Sequence, residues 1–191
     1  MRKIVIVVAM MLAASMASAE MIGLYADEAA TVCHATLMPG APVPTYIIAT
    51  LTQLADAGIV AAEFKIDGLP LNGYEFGGMV TVIPTSDVVV GSLYEDFSIA
   101  WDAPQGAGTG IVLIAQVDFL SFSPTWVGTD QLMQVVEGDV CNCLVVVDEV
   151  YVAHDALGGS FWGNCSNPED CQCIEDTATQ DASWGSVKAL F

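Results

Sequence analysis

Six cysteines are the residues of this chain best suited to covalent chemistry. In an oxidising compartment an even number of cysteines predicts disulfide bonds, and the sequence leaves their pairing open. Zinc binding is the alternative, but the paired cysteines are closer in sequence than the usual ligands of a zinc site. The six are Cys33, Cys141, Cys143, Cys165, Cys171 and Cys173.

Two Cys-x-Cys pairs govern the expected connectivity. A bond inside such a pair closes a small ring, which we expect to be strained. In an extended strand Cys141 and Cys143 point to the same face, so both can reach partners on one side. We therefore expect three bonds, at least two of which join 141–143 to 165–173 or lead back to Cys33.

Surplus acidic side chains suggest a second chemistry, the binding of Ca²⁺ by carboxylate oxygens. The chain lacks an Asp-x-Asp-x-Asp-Gly loop, so a solvated acidic surface is the alternative interpretation. Calcium is the only cofactor that the sequence suggests. The densest group of candidate ligands consists of Asn167, Glu169, Asp170, Glu175 and Asp176.

Three tryptophans are candidates for a ligand platform, because they fall at the ends of predicted strands or in loops. They are Trp101, Trp126 and Trp162. Exposed indole rings stack on sugar rings, whereas buried ones belong to the core or anchor a loop. A platform therefore requires that all three form one exposed strip.

Catalytic residues are not predicted. His34 and His154 are the only histidines, and Asp155 follows His154 directly, so their side chains diverge in a strand. The segment 158–160 lacks the Gly-x-Ser-x-Gly turn of a serine hydrolase. We expect a protein that is not an enzyme, with a secreted hydrolase as the third choice.

The N-terminal segment has the three parts of a signal peptide. Met1–Lys3 is basic, Ile4–Ala14 is apolar, and 17–19 has the small-x-small form that precedes cleavage. We expect cleavage before Glu20 and no transmembrane segment after it, because no later apolar run is long enough for a spanning helix. The sequence therefore predicts a protein that is secreted, periplasmic or on the cell surface.

The charge balance excludes one class of partner. The chain has Lys+Arg 4 against Asp+Glu 23, a formal net charge of −19. Nucleic-acid binding needs several Lys or Arg contacts to phosphates, and only Lys65 and Lys188 follow the signal peptide. A hydrophobic fraction of 54% indicates a packed fold in spite of the charge.

Short runs rich in Val, Ile, Thr and aromatic residues, each bounded by Gly, Pro, Asp or Asn, predict an all-β protein. We expect a two-sheet antiparallel sandwich, jelly-roll or immunoglobulin-like, over 20–152. Residues 153–191 read as a polar tail tethered by disulfides and ending in a short amphipathic helix. The predicted strands are Met21–Ala26, Thr31–Leu37, Val43–Thr52, Ile59–Ile66, Met79–Ile83, Val88–Gly91, Leu93–Trp101, Ile111–Phe122, Gln131–Val136 and Leu144–Val152.

Two groups of residues carry a resemblance to known families. Ile22–Asp27, Cys33, the pair at 141 and 143, and Trp184–Phe191 resemble a family of small secreted bacterial β-sandwich proteins. In apolar pattern, the strands of 58–67 and 93–122 resemble cohesin-like modules and the carbohydrate-binding modules related to them. Neither resemblance implies catalysis.

The combined expectation is an exported, non-catalytic interaction or structural module with an unknown protein or glycan as its partner. A carbohydrate-binding module is the alternative. The exposure of the three tryptophans distinguishes between them.

Overall fold

The computed structural model describes residues 19–173. The predicted signal peptide up to residue 18, the predicted C-terminal helix, and the candidate ligands Glu175 and Asp176 lie outside the described residues.

Within the described part the chain is almost entirely β-structure. It contains twelve strands and one short 3-10 helix, Tyr74–Phe76. The strands are β1 Glu20–Tyr25, β2 His34–Ala35, β3 Val43–Thr50, β4 Ile59–Asp67, β5 Gly78–Pro84, β6 Val88–Ser92, β7 Asp96–Gln105, β8 Ile111–Ser121, β9 Gln131–Val136, β10 Val145–Asp148, β11 Ala153–Gly158 and β12 Ser160–Gly163.

The strands form one mixed, mostly antiparallel network. Its main path runs β2-β12-β9-β4-β10-β11-β1-β3-β8-β5, and β7 joins β4 to β6. The parallel pairs are β1 with β11 and β2 with β12. The long strand β4 pairs with β10 through its first half and with β9 through its second half, so it joins two parts of the network.

Inward-facing apolar side chains from all parts of this network form one core. The largest fully buried side chains include Phe64, Phe119 and Phe161, and the Phe64 and Phe97 rings lie 5.4 Å apart between centroids. The run Ile111–Phe122 is apolar on nearly every position, which is typical of a central strand. The structure places β8 between β3 and β5.

Residues 153–163 differ from the polar tail expected after residue 152, because they form β11 and β12. Gly158 and Gly159 lie where the chain passes from β11, which pairs with β1, to β12, which pairs with β9. A Cβ at Gly158 would lie 1.8 Å from the carbonyl oxygen of Val135. Small residues are therefore required for close backbone packing at this crossing, although they look like loop residues in the sequence.

All six cysteines lie within the described residues, and all are in disulfide bonds. Cys33–Cys173 joins the beginning of the described chain to its end, as expected for Cys33. The other bonds are Cys165–Cys171 and Cys141–Cys143. The prediction that disulfide bonds join 141–143 to 165–173 is wrong.

The reason for this difference is the backbone at Asn142. This residue has a φ of 53°, in the left-handed region, so the segment turns instead of extending. The Cα atoms of Cys141 and Cys143 therefore lie 5.1 Å apart, which brings their sulfurs within bonding range.

Candidate functional site

An aromatic pair is exposed where β5 begins and β8 ends. The rings of Tyr74 and Phe122 are stacked, with centroids 4.8 Å apart and planes inclined by 3°. Tyr74 is 76% exposed, and Leu71, Phe76 and Phe122 are exposed as well. We call these four residues, Leu71, Tyr74, Phe76 and Phe122, the Tyr74 surface.

The loop that carries Tyr74 is held to the sheet by backbone and side-chain hydrogen bonds. Asn72 accepts a hydrogen bond from the Val80 amide and donates one to the Val80 carbonyl, both at 3.1 Å. Gly77, at a φ of 98°, ends the 3-10 helix, and its carbonyl accepts the Phe122 amide at 2.8 Å. The bonds to Gly77 bring the end of β8 against the Tyr74 loop, which explains the ring stacking.

Trp126 supports this surface from below and is not part of a ligand platform. Its side chain is buried, and its indole nitrogen donates to the carbonyl of Leu71 at 2.7 Å. The ring lies against Gly78, where a Cβ would come within 2.1 Å of it. The glycine is therefore needed for the indole to pack flat on the start of β5.

The predicted strip of three exposed tryptophans is not formed. Trp101 is half-buried and donates its indole hydrogen bond to the Thr85 hydroxyl at 3.1 Å. Trp162 is half-buried too, and its indole nitrogen is buried without a partner among the described residues. With Trp126 buried and the other two tryptophans half-buried, the three do not form one exposed strip, so the platform prediction is wrong.

The candidate calcium ligands within the described residues form a turn. The Asn167 side chain donates to the Asp170 carboxylate at 2.8 Å and accepts the Glu169 amide at 3.3 Å. The Cys165–Cys171 bond encloses this turn. Calcium binding stays a prediction, because two of its five candidate ligands lie outside the described residues.

His154 in β11 and Asp148 at the end of β10 form an ion pair or hydrogen bond of 2.9 Å across the turn that joins the two strands. Asp148 also accepts the amides of Val150 and Val152 at 3.0 and 2.9 Å. The hydrogen bond from His154, followed by those from the backbone, lowers the pKa of the Asp148 carboxyl. These contacts explain the pair as a stabiliser of the turn.

A second cluster, not anticipated from the sequence, surrounds the Cys141–Cys143 bond. A carboxylate oxygen of Glu63 and the two sulfurs lie within 4.8 Å of one another. Burial and the neighbouring negative charge of Asp96, in that order, raise the pKa of Glu63, while a hydrogen bond from Ser98 opposes the shift. The Asp96 Oδ1 atom is buried and accepts no hydrogen bond from any described residue.

The turn that carries the two cysteines is docked on this acidic pair. Its ends are joined by the hydrogen bond from the Gly138 amide to the Cys143 carbonyl, at 2.9 Å. The Asp139 amide donates to the backbone carbonyl of Glu95, also at 2.9 Å. Asp139 also pairs with Lys65 at 2.8 Å. The Cys-x-Cys spacing identified the turn, but the position of Glu63 opposite Val145 appears only in the strand register.

No protein-family model and no curated protein matches the chain. The fold is similar to a chain in the crystal structure of the CaDoc0917–CaCohA2 complex, with 16% identity and a TM-score of 0.44 over 75% of this chain and 99% of that one. It is also similar to a chain in the structure of the sixth cohesin of Acetivibrio cellulolyticus scaffoldin B bound to a Cel5 dockerin mutant. There the identity is 13% and the TM-score 0.43, over 78% of this chain and 99% of that one. These neighbours are cohesin domains, the class that the strand pattern resembles.

Among residues 19–173 the structure contains no helix that is both long and apolar enough to cross a membrane.

Proposed function

We propose that this protein is an exported, non-catalytic interaction module, built as a two-sheet sandwich, which binds a protein partner through the Tyr74 surface. The observation that supports the proposal is the exposed Tyr74–Phe122 stack, held on a loop that is fixed by Asn72 and Gly77. Exposed apolar side chains grouped in this way are typical of interaction sites.

The chemistry of the surface favours a protein as the partner. Tyr and Phe are enriched at protein interfaces, where a few buried aromatic side chains supply most of the binding free energy. Because Tyr74 and Phe122 already stack on each other, less side-chain entropy is lost when a partner covers them.

The negative charge of this protein favours a partner with basic residues on its contact surface. Glu75 is exposed between Tyr74 and Phe76, and the whole chain carries a net charge of −19. A partner whose contact surface combines apolar side chains with Lys or Arg would be attracted to this protein over a distance set by the ionic strength.

The test is a binding experiment on the secreted protein. The double variant Tyr74→Ala/Phe122→Ala removes the stack, and Tyr151→Ala is the matched control because it removes an equally exposed tyrosine from a different turn. Partners captured from the extracellular fraction are purified, and their affinity is measured by calorimetry at several NaCl concentrations.

We expect the double variant to weaken binding by at least about thirtyfold, the effect of losing roughly 2 kcal/mol at an interface hot spot. Tyr151→Ala should leave the affinity unchanged, and added NaCl should lower it for the wild type. A partner that binds the double variant as tightly as the wild type would contradict the proposal.

A carbohydrate ligand is the second candidate, and the high exposure of the Tyr74 ring favours it. A glycan array probed with the same three proteins separates the two functions. Glycan binding that is lost with Tyr74→Ala/Phe122→Ala and retained in Tyr151→Ala would indicate a carbohydrate-binding module instead.

A further inference from the structure

The three disulfide bonds of this protein differ in what they do for the fold. Cys33–Cys173 spans 140 residues and Cys165–Cys171 spans six, whereas Cys141–Cys143 spans two. In the loop-entropy description the stabilisation by a disulfide grows with the length of chain that it closes. Opening the Cys141–Cys143 bond therefore costs the fold least.

Accessibility distinguishes the same bond. Cys33 and Cys171 are buried, so each of the other two disulfides is shielded on one side. Cys141 is exposed and Cys143 is half-buried. An attacking thiolate must approach a sulfur in line with the bond that breaks, so exposed disulfides are the ones that exchange.

A carboxyl group whose pKa is raised lies beside the bond. The Glu63 carboxyl is within 4.8 Å of both sulfurs, a distance that one water molecule or a change of the Glu63 rotamer bridges. Asp96 is pressed against Gly138, where a Cβ would lie 1.8 Å from its Oδ1 atom, and its carboxylate favours a proton on Glu63.

We propose that Cys141–Cys143 is a thiol–disulfide exchange site that oxidises dithiols carried on basic proteins or peptides. A substrate thiolate attacks the Cys141 sulfur and forms a mixed disulfide. The Cys141–Cys143 bond breaks, and its electron pair leaves on the Cys143 sulfur, which takes the proton of Glu63.

The second thiolate of the substrate then attacks the substrate sulfur in the mixed disulfide. The electron pair of that bond returns to the Cys141 sulfur, which is protonated from solvent. The substrate has lost two electrons and gained a disulfide, and the protein holds two thiols. A low-molecular-weight disulfide restores the oxidised protein by the reverse exchange.

The preference for basic substrates follows from the surrounding charges. Apart from Glu63, which carries the proton, the turn has Asp96 and Asp139 beside it. Lys65, the only lysine or arginine between residues 19 and 173, is shared between Asp139 and Asp67, so the net charge is negative. This field repels an anionic thiol and attracts a cationic one. It also disfavours a thiolate on Cys143, which is why the leaving sulfur needs the proton of Glu63.

The first test measures the rates at which the three bonds react. The oxidised protein is mixed with cysteamine or with 2-mercaptoethanesulfonate, quenched with an alkylating reagent, and read by peptide mass spectrometry. We expect Cys141–Cys143 to react at least about tenfold faster than the other two bonds. At low salt the cationic thiol should exceed the anionic one by about tenfold per thiolate, and the difference should shrink with NaCl.

Variants assign the chemistry to these groups. Cys141→Ser/Cys143→Ser should abolish the oxidation of a lysine-flanked dithiol peptide, while Cys165→Ser/Cys171→Ser should retain it. In the wild type the rate per thiolate should rise as the pH falls through the pKa of Glu63. Glu63→Gln should lose this rise, and Glu63→Asp should restore it in part.

Thermal melting of the protein reduced at 141 and 143 shows whether the bond is structural, and we expect a melting temperature within a few degrees of the oxidised form. The proposal is overturned if the three bonds react at equal rates, if reduction at these positions unfolds the protein, or if a glutamate-flanked dithiol peptide is oxidised as fast as the lysine-flanked one. These readouts do not involve Tyr74, so they are independent of the proposed interaction.

Discussion

Glu20 is the acidic residue whose removal should harm the fold most. It is 3% exposed, and its carboxylate accepts the backbone amides of Thr52, Gln53 and Leu54 at 2.6, 2.9 and 3.0 Å. These amides begin the turn after β3, so the first residue of β1 fixes the start of that turn. A hydrogen bond to a charged group contributes about 1.5 to 3 kcal/mol net, and three that share two oxygens are not additive.

Glu20→Ala should therefore lower the free energy of unfolding by about 4 kcal/mol, because it removes all three bonds and leaves the buried Leu54 amide without an acceptor. Glu20→Gln retains one oxygen and should cost about half as much. A loss of this size is a large fraction of the stability of an ordinary domain, so urea denaturation of the secreted protein measures it readily.

The control for charge is Glu28→Gln, since Glu28 is exposed and its loss reduces self-repulsion by the same unit charge. We expect this variant to be neutral or slightly stabilised. If Glu20→Ala unfolds within about 0.5 kcal/mol of the control, the hydrogen bonds of Glu20 do not carry the stability assigned to them here.

Three further predictions concern the whole fold. Hydrogen bonding to His154 holds the pKa of Asp148 below its usual range. The stability that this carboxylate contributes is therefore complete above the unfolded pKa and is lost as the pH falls through the folded pKa. Asp148→Asn should abolish that part of the acid sensitivity in melting curves. The melting temperature of the wild type should rise from low to moderate NaCl as self-repulsion is screened, and a flat response would show that the charges are too dispersed to matter. Gly158→Ala should destabilise by at least about 2 kcal/mol in urea titrations, because the new Cβ meets the Val135 carbonyl, whereas Gly128→Ala has room and should be nearly neutral.

The strands were predictable where the sequence is regular. Val43–Thr50 and Ile111–Ser121 are runs of β-branched and apolar residues between turn residues, and both are strands close to the expected bounds. The expected strand Leu93–Trp101 begins only at Asp96, because Leu93 lies in the turn between β6 and β7, where Glu95 donates its amide to Ser92.

Two features were not predictable from residue types alone. Ala156, Gly158, Ser160 and Gly163 are buried in β11 and β12, where small side chains allow close packing, and the same residues are common in loops. The turn at Asn142 depends on one left-handed residue, a conformation that Asn adopts more readily than most residues but that the sequence does not impose.

Both candidate sites lie on turns that contain residues with a positive φ. The Tyr74 loop is bounded by Gly73 and Gly77, and the Cys141–Cys143 turn contains Asn142, and all three have positive φ. Such residues reverse the chain within a few positions and direct the intervening side chains away from the sheet. The inward faces of the strands are occupied by the core, and both candidate sites are carried by turns outside the strands. The Tyr74 loop rests on β5 and β8, whereas the cysteine turn rests on β4 and β7, so a substitution in one site should leave the other unchanged.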